Sequence, residues 1–191
     1  MTQWLSDRLL GISTARKEKV HRLELSPEVA RHAHDYEPSP YGVLPDALLT
    51  IPLEPAETTF VDVGAGKGRV LAEALHHGFR RVIGLEASTR LVRLAKENLR
   101  GLDGVERAEV LEVDATAWSL PDEPLVVYLF NPFGHAALDR LAAQVELRIR
   151  RCDAPLWVVH HQPEHRDAWA RAPSLRGVEY ESRRMILRGP R

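Results

Sequence analysis

The chain has 191 residues, of which 44% are hydrophobic and 28% charged, and a net charge of −1. That balance fits one soluble globular domain with at most a small appendage, and charge so near zero supplies no global footprint for nucleic acid or an anionic membrane. Cys152 is the only cysteine, which excludes an internal disulfide framework and suits a reducing compartment; with no apolar run near the roughly 20 residues that span a bilayer and no signal-peptide pattern in residues 1–7, the expected location is cytoplasmic.

Before residue 59, amphipathic helical pieces are expected over residues 4–10 and 17–34. Pro38, Pro40 and Pro45 then punctuate the approach to a helix that holds Leu48 and Leu49. Residues 1–57 read as a helical cap on the substrate side of a core formed by 58–191. From residue 59 strand and helix alternate, as in a parallel sheet covered on both faces. Thr59–Val63 is the first strand, and a glycine-dense turn leads into a helix from Arg69 to about His77. Residues 81–85 are a second strand ending in Glu86. Ser88 caps a helix to about Leu99, which Gly101 and Gly104 stop. Residues 109–113 are a third strand ending in Asp114, and 124–130 a fourth, nearly all apolar as a strand buried on both faces should be. A helix over 135–150 presents Leu138, Leu141, Val145 and Ile149 at helical spacing. A fifth strand over 155–160, a helix over 164–172 and one or two closing strands within 178–187 complete the order.

The turn Gly64-Ala65-Gly66-Lys67-Gly68 runs from strand to helix, so its backbone can approach a ligand closely and the helix offers free N–H groups to the same place. Dinucleotides and S-adenosylmethionine both use such turns, and a ligand-free turn is a third reading. A dinucleotide fingerprint, G-x-G-x-x-G, would need its third glycine where Arg69 stands. The spacing Gly64-x-Gly66-x-Gly68, preceded by Asp62, resembles motif I of the class I S-adenosylmethionine-dependent methyltransferases. The resemblance implies a doubly wound, mostly parallel Rossmann-like sheet with antiparallel C-terminal strands.

It also implies a set of cofactor contacts. Gly64, Ala65, Gly66 and Gly68 would form the turn. Asp62 would orient it and approach the methionine amino group; Glu86 would accept the ribose hydroxyls, a role that dinucleotide enzymes share. Asp114 would accept the adenine amino group, beside the backbone N–H of Ala115. For each acid a solvated strand end is the competing reading; three at successive strand ends argue together.

The fourth strand exits through Asn131-Pro132-Phe133-Gly134, which resembles in part the Asn-Pro-Pro-Tyr/Phe motif of amino-methylating enzymes. Asn131 would there accept hydrogen bonds from the target nitrogen and lie beside the cofactor; aligning that lone pair and easing its growing positive charge is the chemistry required. Only one proline is present. Tyr36-Glu37-Pro38-Ser39-Pro40-Tyr41 resembles a segment of some protein-lysine methyltransferases that folds over the cofactor and offers hydroxyls to its carboxylate, which implies roles for Tyr36, Ser39 and Tyr41. Lys67 could add a cation there. His160, His161 and His165 do not have the spacing of a metal site, and no serine sits in a G-x-S-x-G elbow.

The expected activity is methyl transfer from S-adenosylmethionine to a nitrogen of a protein side chain or small molecule, with no metal; nucleic acid is a weaker acceptor candidate. The alternatives are an NAD(P)-dependent oxidoreductase and a non-catalytic binding module on the same fold.

Overall fold

The structure, a computed structural model, describes residues 3–31, 33–130, 132–180 and 183–190. Helices α1 (Gln3–Leu10), α2 (Pro27–Ala30) and α3 (Val43–Leu48) precede the core. There β1 (Thr59–Val63), α4 (Arg69–His76), β2 (Arg81–Glu86), α5 (Thr89–Leu99), β3 (Ala108–Glu112), β4 (Leu125–Phe130), α6 (His135–Arg151), β5 (Leu156–His161), β6 (Arg176–Tyr180) and β7 (Arg184–Arg188) follow. The seven strands form one sheet in the order β3-β2-β1-β4-β5-β7-β6. β1 to β5 are parallel, whereas β7 runs antiparallel to both β5 and β6. The closing segment therefore makes both arms of a hairpin.

Alternate side chains along each strand feed two apolar layers. On one face Phe60, Tyr128, Trp157 and Ile186 pack with Leu71 and Leu75 of α4, Val92 and Ala95 of α5, and Leu44 and Ala47 of α3. On the other, Val61, Ile83, Val127 and Val158 meet Leu138, Leu141 and Val145 of α6. Ile12 and Ile51 share the first layer, so the segment before β1 is continuous with the core. Strand order reverses between β1 and β4, and a crevice opens at the carboxyl ends of such strands.

Three expected elements differ. Residues 17–34 do not form a helical piece: Glu18 and Tyr36 pair as an antiparallel bridge through two backbone hydrogen bonds, Val20–Arg22 is one 3-10 turn, and helix reappears only in α2, capped by Ser26 with Pro27 at its start. Glu24 has φ +54, which a helix cannot accommodate. The expected helix over 164–172 is instead a 3-10 helix, Arg166–Arg171. The third strand begins and ends one residue early, so Asp114 lies beyond it as the N-cap of a 3-10 turn.

Candidate active site

β1 delivers the chain into the glycine turn, whose amides at Gly64 and Ala65 both donate to the Leu85 carbonyl of β2, at 2.8 and 3.0 Å. Gly64, Gly66 and Gly68 all have left-handed φ, +77, +55 and +82, a region costly for other L-residues. The space over each is taken by protein: a Cβ would meet Pro132 Cβ at 2.5 Å, Tyr36 Cε2 at 2.3 Å and Ala95 Cβ at 3.3 Å, respectively. Close approach is thus needed first for the fold, to lay Tyr36 and Pro132 on the turn.

The turn floors a cavity of about 210 Å³ at the sheet's carboxyl edge. The core contributes Gly64, Glu86, Asp114, Ala115, Phe130 and Phe133 to it, and the N-terminal segment Leu23, Leu25, Val29, Tyr36 and Glu37. Glu86, at the end of β2, accepts the Gly66 N–H on Oε2 and the Ser88 N–H on Oε1, each at 2.9 Å. Burial outweighs those hydrogen bonds and pushes its carboxyl up. Asp114 is exposed and accepts the Thr116 N–H at 2.8 Å, while Ala115 is buried beside it.

Asp62 is 3% exposed and lines a smaller adjoining cavity of about 30 Å³ with Ser39, Arg69, Tyr128 and Phe130. Burial, followed by the charges of Glu86 and Glu73, pushes its pKa up to about 8. Among the described residues none donates a hydrogen bond to it. Ser39 and Tyr128 share a buried hydroxyl–hydroxyl bond of 2.5 Å.

The Tyr36 hydroxyl donates to the Thr14 carbonyl at 3.0 Å while its ring lies against Gly66; burial pushes the phenol pKa well up. Tyr41 is not brought to the cavity. Its hydroxyl donates to Asp7 Oδ1 at 2.5 Å and its ring lies 4.3 Å from the Arg69 Cζ. Lys67, expected as a cation for a ligand carboxylate, is buried against Glu18 at 3.1 Å and donates to the Arg16 carbonyl at 2.7 Å. Asn131 lies outside the described residues. Its neighbours Phe130, Pro132 and Phe133 all line the larger cavity.

Two residues escaped sequence reasoning. Arg69 is 2% exposed and satisfied by Asp7, Thr14 and Ser39; in sequence it is only the residue that spoils a dinucleotide fingerprint. Asn98, on α5, donates to the Lys67 carbonyl at 2.8 Å and accepts the Ser13 N–H at 2.9 Å, which ties α5 to the turn and the N-terminal segment. His160 lies on the opposite face of the sheet from the Tyr128 layer and accepts the Trp169 indole N–H at 3.1 Å; burial, then nearby cations led by Arg166, pushes its pKa down to about 3.

Residues 60–152 match the family model of a methyltransferase domain. By fold the chain is similar to the structure of a mitomycin 7-O-methyltransferase, at 17% identity and TM-score 0.55 over 76% of this chain and 52% of that one. It is similar to an RNA methyltransferase from Salinibacter ruber in complex with S-adenosyl-L-homocysteine, at 20% identity and TM-score 0.55 over 80% and 92% of the two chains. A ribosomal protein L11 methylase from Lactobacillus delbrueckii subsp. bulgaricus matches at 19% identity and TM-score 0.54, over 76% and 75%. The chain spans about half the length of the first of these. No curated protein matches it by sequence. At these identities the structural likeness is one of fold, and the family match covers the stretch from β1 to the end of α6 that builds the glycine turn, Glu86 and Asp114. Residues 60–152 thus match a methyltransferase domain by family model, within a fold that the chain shares with these methyltransferase structures.

Proposed function

We propose that the larger cavity binds S-adenosylmethionine and that the enzyme transfers its methyl group to a nitrogen of a protein side chain or of a small molecule. The observation that supports the cofactor most strongly is that Gly64, Glu86, Asp114 and Ala115, from three successive strand ends, border one cavity. Glu86, which already accepts backbone N–H groups, borders the cavity and would accept ribose hydroxyls with its remaining lone-pair capacity. Asp114 with the Ala115 backbone would read an adenine edge. Asp62, buried and without a hydrogen-bond donor among the described residues, suits an ammonium group, whose charge would favour its ionised form.

When bound, S-adenosylmethionine supplies an electrophilic sulfonium methyl group. The protein's part is then positioning. Asn131, at the exit of β4, would fix the acceptor nitrogen by accepting its N–H bonds, Phe130 and Phe133 would exclude water, and the Tyr36 ring would close the site over Gly66. Tyr41 would act on the cofactor only through the Asp7 and Arg69 cluster it joins. The net charge of −1 and the lone Cys152 support a cytoplasmic enzyme and a protein or small-molecule acceptor ahead of nucleic acid. Arg69, bonded through all three guanidinium nitrogens to protein, argues against a dinucleotide.

Calorimetric titration with S-adenosylmethionine, S-adenosylhomocysteine and NAD tests the reading. It expects micromolar binding of the two sulfur compounds, none of NAD, and about tenfold or greater weakening in Asp62→Ala and Glu86→Ala, as befits the loss of a charged hydrogen bond. A folded wild-type protein that binds neither sulfur compound would sink it.

A further inference from the structure

Both cations of the glycine turn are committed to the N-terminal segment. Arg69 meets that segment at four points: Nη2 on Asp7 Oδ1 at 3.0 Å, Nε on Thr14 Oγ1 at 2.7 Å, Nη1 on the Ser39 carbonyl at 2.8 Å, and its Cζ 4.3 Å from the Tyr41 ring centre. Lys67 adds Glu18 at 3.1 Å. The Arg69 and Asp7 side chains are 2% and 4% exposed, so neither charge can fall back on water if its partner is lost. The Asp7 carboxyl is held low although burial works to raise it, because Tyr41, Thr14 and Ala15 all donate to it.

These anchors bracket residues 20–37, which form the outer wall of the larger cavity. Between them the wall is held to itself by the Glu18–Tyr36 bridge and to the core by the Ser88 hydroxyl on the Leu23 carbonyl.

We infer that Arg69 is a positioning residue: it clamps the two ends of residues 14–41 to the start of α4 and so makes their middle a wall that closes over the cofactor. The inference rests on the S-adenosylmethionine reading above. It explains an arginine where the turn's own geometry asks for none, and it makes cofactor affinity depend on a guanidinium that acts through the segment it holds.

The test combines hydrogen exchange with calorimetry, using S-adenosylhomocysteine as the probe, on wild type, Arg69→Met, Arg69→Lys and Asp7→Asn. In Arg69→Met, amides of residues 18–36 should exchange about tenfold faster or more while those of β1 and β4 keep their protection, and affinity for the probe should fall about tenfold or more. Arg69→Lys, which keeps the charge but not the fork of donors, should recover part of both losses. Asp7→Asn, which preserves shape, should repeat the pattern more weakly and decides the matter if Arg69→Met does not fold. Affinity within about twofold of wild type in a folded variant overturns the inference, as does exchange that quickens equally in β1 and β4, the mark of a merely structural group. A wild-type protein that binds no probe instead retires the cofactor reading, and the exchange comparison then still reports whether Arg69 clamps the segment.

Discussion

The ring of Tyr36 lies on Gly66, and a Cβ on that glycine would stand 2.3 Å from Tyr36 Cε2. The contact joins the turn beneath the cavity to the segment that walls it, at a residue with φ +55. Gly66→Ala should therefore combine left-handed strain with an expelled ring, costing about 2–4 kcal/mol. Thermal unfolding reads the loss, each kcal/mol lowering Tm by about 2–4 °C in a domain of this size. In a Tyr36→Ala background the same substitution should cost only the backbone strain, so the double-mutant cycle gives a clear coupling between the positions. Additive losses would show that ring and turn do not depend on one another.

Asp62 and Glu73 make stability depend on pH in the sense opposite to a salt-bridged acid. Burial first, then neighbouring carboxylates, pushes Asp62 up to about 8, and burial pushes Glu73 up to about 7. Unfolded carboxyls give up their protons near pH 4. Between pH 4 and 8 the folded state thus holds more protons on these two carboxyls than the unfolded one, and their contribution to stability falls as pH rises, by at most about 1.4 kcal/mol per unit for each group. Melting curves of the ligand-free protein at pH 6.5, 7, 7.5 and 8, above most of the range in which buried His160 contributes the opposite slope, should show Tm dropping, and Asp62→Asn should flatten the slope. A Tm that rises with pH over this range would contradict the burial of these acids as neutral groups.

The parts of this arrangement that were legible in sequence are those set by local chemistry. Alternation of apolar strand and helix from residue 59, three glycines at alternate positions and acids at strand ends are short-range signals, and they locate β1, the turn, Glu86 and Asp114 to within a residue or so. The N-terminal segment was not legible because distant partners set its shape. Asp7 meets Arg69 across 62 positions and Ser13 meets Asn98 across 85, and no periodicity within residues 17–34 reports such contacts. For the same reason Lys67 and Arg69 looked like cations for a ligand or obstacles to one. Their burial against Glu18 and Asp7 is a property of the folded pair.

Glu86 has two tasks that its variants should separate. Its oxygens accept the Gly66 and Ser88 amides, so Glu86→Ala orphans two buried donors and should cost about 1–3 kcal/mol for each that water cannot reach, besides abolishing the proposed ribose contact. Glu86→Gln keeps one acceptor oxygen but replaces the other with a donor facing an N–H group. It should therefore lie between wild type and Glu86→Ala in Tm, while binding S-adenosylhomocysteine about tenfold or more weakly than wild type. Equal Tm for all three proteins would mean that the carboxylate does not hold the turn.

The acceptor end of the site should respond differently from the cofactor end. Asn131, between Phe130 and Pro132 at the exit of β4, is proposed to fix the target nitrogen, and a polar group aimed at charge developing during transfer contributes about 10²–10³ in rate. Asn131→Ala should then lose about that factor in methyl transfer to an amine acceptor, with affinity for S-adenosylhomocysteine falling less than about tenfold, whereas Asp62→Ala loses binding first. Phe133→Ala, which opens the cavity beside it, should weaken both together through lost apolar contact. Single-turnover rates and calorimetry on the three variants read the split. Transfer by Asn131→Ala at the wild-type rate would remove the nitrogen-acceptor argument and direct the search to hydroxyl or carbon acceptors, with the cofactor site left standing.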